Sequence, residues 1–261
     1  MTTSLTAPHP WAVFAPNRQL GNLTLFIALA ALPVMVAHGL DARLFQGDNV
    51  WLKPLKFHLA LTVYTGTLTL FAMLLPAGTF TSRRWRIYIG VVIACILAEL
   101  AWIGSAAALG TASHFNATGI WATLYGLMGV AAVLLTSLSL VMGLAFWKHR
   151  ADPFLLSVAM GLILTFLLTV PIAGTMSSGT GHLIGTPLTG ARFPLMGWST
   201  EVGDLRLPHF LATHAMHLVP LAGLTGSRTA IWATAGGFTA LTLWCFARAL
   251  MGLPGSVAQL P

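Results

Sequence analysis

Charge is what this sequence has least of. Only 7% of its 261 residues are charged and six are acidic, where a soluble domain carries about 25% charged residues. That excludes an ordinary water-soluble surface. With 56% hydrophobic residues and a mean hydropathy of +0.82, an integral membrane protein is expected. Cysteine is nearly missing as well. Cys95 and Cys245 both lie inside apolar runs, which excludes a disulfide framework and a cysteine-based zinc knuckle. No small-residue cleavage pattern closes the first apolar run, so that run is expected to be a retained helix. The last run, 229–251, holds neither lysine nor histidine, which excludes a retinal Schiff base there. The formal charge of +7 sits in short clusters between apolar runs. That is the pattern of membrane topology, and no nucleic-acid partner is expected.

What is present is apolar length. Runs near 21–40, 54–76, 86–109, 119–147, 153–175, 205–224 and 229–251 predict an all-α integral membrane protein, a bundle of seven transmembrane helices. The expected organisation is an N-terminal cytoplasmic segment (1–20), one membrane domain (21–251) and a C-terminal tail (252–261). Arg83, Arg84 and Arg86, with Lys148, His149 and Arg150, mark two short basic loops as cytoplasmic. The N-terminus is then inside and the C-terminus outside, in what is expected to be a bacterial inner membrane.

Alternation of the spans sorts the histidines. His38, His58, His114, His182, His209, His214 and His217 fall toward the outer side, and only His9 and His149 toward the inner. The densest polar stretch is 201–220. There Asp204 can cap the sixth helix, Pro208 is tolerable in its first turn, and three histidines follow. At about 100° per residue His209, His217 and His214 fall at roughly 0°, 80° and 140°, on one side of the helix. Glu99 lies about 15 Å below the outer end of the third helix, and His214 about 14 Å below the start of the sixth, so the two are expected to meet. An ionised glutamate in hydrocarbon needs a partner or a metal.

The expected metal ligands are therefore His58, His214, His217 and Glu99, a nitrogen and oxygen set suited to zinc, copper or iron. Glu99 and His209 are the expected proton-transfer groups. Lys53, Lys56, Arg206 and His114 are expected to hold a cofactor or an anionic group at the mouth of the cavity. The glycine-rich loop 176–204 is expected to cover that mouth, and Asn116 to act as a turn residue or as the cap of the fourth helix.

Three function classes fit. The favoured one is a metal-dependent membrane enzyme, a hydrolase or oxidoreductase acting on a lipid, quinone or other hydrophobic small molecule. The second is a haem b redox protein with axial pairs His58 and His214, or His114 and His209. The third is a transporter or receptor binding an ion or small ligand.

Overall fold

The computed structural model describes residues 17–76, 78–194 and 196–255; His9 and most of the 1–20 segment lie outside the described residues. Seven helices are present there: α1 (Arg18–Leu40), α2 (Leu52–Ala72), α3 (Arg83–Ala108), α4 (Gly119–Trp147), α5 (Pro153–Ser178), α6 (Arg206–Gly223) and α7 (Arg228–Leu250). Two antiparallel strand pairs interrupt them, β1 (Leu44–Phe45) with β2 (Asp48–Asn49), and β3 (Leu183–Ile184) with β4 (Gly203–Asp204). Five helices, α1, α3, α4, α5 and α7, are long and apolar enough to cross a bilayer. The sequence pattern predicts seven spans. Lys53, Lys56, His58 and the threonines of α2, and Arg206 with the three histidines of α6, hold those two helices below the hydropathy of the others. The large apolar side chains left exposed on α1, among them Phe26, Leu29, Leu32 and Val36, are the lipid-facing surface expected of a spanning helix.

The chain divides into two compact units, Met1–Ser113 and His114–Pro261. In the first, Thr24 of α1 hydrogen-bonds Thr65 of α2 at 2.9 Å. The turn after α1 is possible because Gln46 and Gly47 take φ of 53° and 86°, which folds β1 onto β2. Asp41 organises this hairpin. Its carboxylate receives the Arg43 guanidinium at 2.7 Å and the Trp51 indole N–H at 2.8 Å. Arg43 in turn donates to the Ala108 carbonyl at the end of α3.

In the second unit α5 is the most buried of the helices long and apolar enough to span, and it packs against α4, α6 and α7. Leu156, Met160, Val219 and Ile231 form its core with Ala222 and Ala235. Close approach of α5 and α6 requires a small residue. A Cβ on Gly223 would collide with Ser157 Oγ and lie 2.9 Å from Ser157 Cβ. Thr165 Oγ1 on α5 accepts the Met216 N–H of α6 at 2.9 Å, a side-chain bond that ties the two helices together. Asp152 and Ser227 cap α5 and α7 by accepting from Leu155 N and Ala230 N.

The loop between α5 and α6, expected as a cover, has structure of its own. Leu183 pairs with Asp204 and Ile184 with Gly203, and Arg192 bridges Ser199. Gly203 lies so close to the end of α7 that a Cβ there would collide with the Ala249 carbonyl. The Glu201 carboxylate accepts the backbone N–H groups of Leu188, Thr189 and Ala191 and the Thr189 hydroxyl. These bonds, the Thr189 hydroxyl first, hold the exposed Glu201 carboxyl down to about 2.

Candidate functional site

Asp204 sets the start of α6 in a way different from the expected cap. The N-cap position is Leu205, whose backbone N–H donates to the His182 carbonyl. Asp204, one residue earlier, accepts from Arg206 N at 3.0 Å and Ser199 N at 2.9 Å. Its carboxylate also receives Arg206 Nε at 2.9 Å and Nη2 at 2.6 Å. The Asp204 side chain is 2% exposed and that of Arg206 34%. Burial pushes the Asp204 carboxyl up, but the hydrogen bonds and charge of Arg206, with the Ser199 N–H, leave it below its ordinary value. Arg206 also donates to the Gly197 carbonyl, so it is committed to holding the loop on the helix. Asn116 is a turn residue: its side-chain oxygen accepts from Thr118, and Thr118 occupies the N-cap of α4.

Along α6, Ala212, Ala215, Met216 and Val219 are fully buried, whereas His209, His214 and His217 are half-buried. His214 lies within electrostatic reach of both other histidines, and its ring centroid is 5.2 Å from that of His217. His214 Nδ1 lies 2.7 Å from the Phe210 carbonyl. A carbonyl only accepts, so Nδ1 carries the proton, and Nε2 is the nitrogen left to bind a metal. Thr213 Oγ1, 3.1 Å away, completes the contacts of Nδ1. Phe210 stacks on the His214 ring with centroids 3.9 Å apart, and Trp198 meets Phe210 edge-on at 5.3 Å. A continuous aromatic ladder therefore runs from the loop, through Trp198 and Phe210, to His214 and His217.

The remaining expected site residues are distributed over both units. His58, 6% exposed, repeats the arrangement of His214, with Nδ1 2.8 Å from the Pro54 carbonyl four residues earlier. Glu99 is 4% exposed, and Lys53 lies within electrostatic reach of it. Lys56 is exposed. His58, Glu99, Lys53 and Lys56 thus belong to the first unit, and His114, Arg206, His209, His214 and His217 to the second. The His114 ring packs against Tyr125 with centroids 5.5 Å apart. Among the described residues no group of three or more His, Cys, Asp or Glu side chains gathers as a metal site. What α6 provides is a histidine pair, one member of which has a fixed tautomer.

Ser199 is a polar residue of this region that the sequence pattern does not single out. It is 8% exposed, and its Oγ accepts from Glu201 N and Val202 N at 3.2 Å each. A serine two and three residues before the N–H groups it accepts is a local motif, which is the signal that points to it. No protein-family model, curated protein or solved structure matches this chain.

Proposed function

We propose that this protein is a seven-span membrane metalloprotein in which His214 and His217 bind one transition-metal ion through imidazole nitrogen, and that it acts there on a hydrophobic small molecule or lipid. The observation that carries the reading is the Nδ1–H bond from His214 to the Phe210 carbonyl at 2.7 Å. Metal-bound histidines characteristically donate their other ring N–H in this way, which fixes the tautomer and raises the basicity of the ligating nitrogen.

The ring spacing supports the pair. A metal–nitrogen distance of about 2.0–2.1 Å puts each ring centroid about 3.2 Å from a bound ion, so rings 5.2 Å apart would subtend about 110°, a tetrahedral angle. Two protein ligands leave positions for water or substrate, the open coordination of a catalytic rather than a structural site. A bound water would be made acidic enough to serve as a nucleophile near neutral pH, and His209 is the neighbouring base on the same helix. Zinc, copper and iron all suit imidazole, so the reaction is hydrolytic or oxidative according to the ion held. The basic loops at Arg83, Arg84 and Arg86 and at Lys148 and Arg150 orient the bundle with its C-terminus outside the cytoplasm.

The test is element analysis with an absorption spectrum on the purified protein, beside His214→Ala and His217→Ala. About one equivalent of transition metal, lost in both variants, is expected. A Soret band lost in the variants would transfer the histidines to the haem reading. Protein free of metal after purification and after incubation with zinc, copper or iron would overturn both.

A further inference from the structure

We propose that the cavity beneath the α5–α6 loop binds a neutral, single-ring aromatic molecule carrying a carbonyl oxygen. This inference goes beyond the histidine reading and does not depend on a metal at α6. The cavity measures about 150 Å³, with walls built by Phe193, Trp198 and Leu207 and polar edges by Ser199, Thr200 and Asp204. An apolar cavity of about 150 Å³ is large enough to take up a benzene ring. Trp198 and Phe193 present near-parallel rings, 25° apart in plane with centroids at 6.4 Å. A planar guest can stack on the indole, which is the favoured arrangement for aromatic pairs.

The polar edge specifies what the ring carries. Asp204 is fully engaged by Ser199 N and by Arg206, so it neither needs a donor from the guest nor offers a free charge. The Thr200 hydroxyl donates to the Ala191 carbonyl at 3.2 Å. Ser199 differs. Its Oγ accepts two backbone N–H bonds, and its own proton reaches no acceptor among the described residues. Accepting two bonds polarises a hydroxyl toward donation. A buried donor without an acceptor costs free energy that a guest oxygen would recover. A carbonyl oxygen is an acceptor with no proton of its own and matches that need. Trp198 links this cavity to the ladder that reaches His214 and His217, so the guest would sit two rings from the histidine pair.

The test uses the full chain in lipid nanodiscs with two probes of one shape, acetophenone and ethylbenzene, which lacks the carbonyl. Dissociation constants come from ligand-observed NMR, with empty nanodiscs subtracted. The expected result is saturable acetophenone binding that Ser199→Ala weakens about fivefold to tenfold, while ethylbenzene changes less than about twofold. Leu207→Trp, which fills the cavity, should abolish binding of both. Because Ser199→Ala also removes an acceptor from two backbone N–H groups, hydrogen exchange over 199–204 checks the loop. If that loop loosens, the unaltered protein decides, by binding acetophenone more tightly than ethylbenzene after correction for partition into empty nanodiscs. No saturable acetophenone binding, unchanged binding in Leu207→Trp, or equal preference for the two probes would overturn the proposal.

Discussion

Replacing Asp204 by Asn should release the α5–α6 loop without unfolding the helices beneath it. The substitution keeps the shape of the side chain and removes its charge. In the native protein that charge meets Arg206 Nε and Nη2 and the backbone N–H groups of Ser199 and Arg206, all within 2.6–3.2 Å. The asparagine NH₂ would face these donors with a donor of its own. Removing one member of a buried ion pair costs about 3–5 kcal/mol, because the other is left uncompensated. Arg206 is 34% exposed and can turn partly to water, which places the expected cost at the lower end, about 3 kcal/mol. At about 1.4 kcal/mol per tenfold this raises the open population of the loop roughly 100-fold. Hydrogen exchange read by mass spectrometry on peptides covering 197–206 measures it directly, since local opening sets the exchange of those amides. The same experiment should show unchanged exchange where Thr24 joins Thr65. A change of less than about threefold at 197–206 would refute the view that the Asp204–Arg206 pair is the loop's anchor.

Glu201 gives a pH dependence with a definite sign. Its folded value of about 2 lies below the ordinary 4.5, so its contribution is complete above 4.5 and is lost as pH falls toward 2. Glu201→Gln should therefore speed exchange at Leu188, Thr189 and Ala191 at neutral pH, and the difference from the unaltered protein should vanish near pH 2. Gly223→Ala should lower the thermal midpoint in detergent, since overpacking costs about 1–3 kcal/mol; adding Ser157→Gly should recover most of the loss. Thr165→Val should cost about 1–2 kcal/mol by removing the side-chain bond between α5 and Met216 N, whereas Thr165→Ser should be nearly silent in the same melting assay. A reporter fused after Gly255 should be active only outside the cytoplasm; activity inside would invert the proposed orientation.

The helices were legible in the sequence because each apolar run is closed by residues that end helices or meet water. Asp152–Pro153 starts α5, Ser227 starts α7, and the observed bounds differ from the expected ones by a few residues. The number of spans was less legible. The polar residues that make α2 and α6 interesting also lower their hydropathy, so length and composition alone identify five. The facing of His209, His214 and His217 followed from helical spacing, and the His214 bond to Phe210 is a local i−4 contact that spacing permits. The loop was not legible as a structure. Its order depends on Leu183 finding Asp204 and on Leu188 to Ala191 gathering around Glu201, contacts between residues 10 to 21 apart that no periodicity encodes. The sequence pointed to Asp204 as the cap of α6, whereas the structure puts Leu205 at the N-cap and pairs Asp204 with Arg206, two residues on. The cavity that Ser199 borders could not be read from composition, because its walls meet only when the loop is folded.

If His214 and His217 share one ion through nitrogen, pulsed electron paramagnetic resonance on the copper(II)-loaded protein reads both ligands. The modulation from the remote nitrogen of each coordinated imidazole counts the ligands one by one. Two coordinated imidazoles are expected in the unaltered protein, and that copper signal should be lost in His214→Ala and in His217→Ala alike. Copper whose spectrum shows no imidazole modulation, or whose modulation is unchanged by either substitution, would contradict the shared ion.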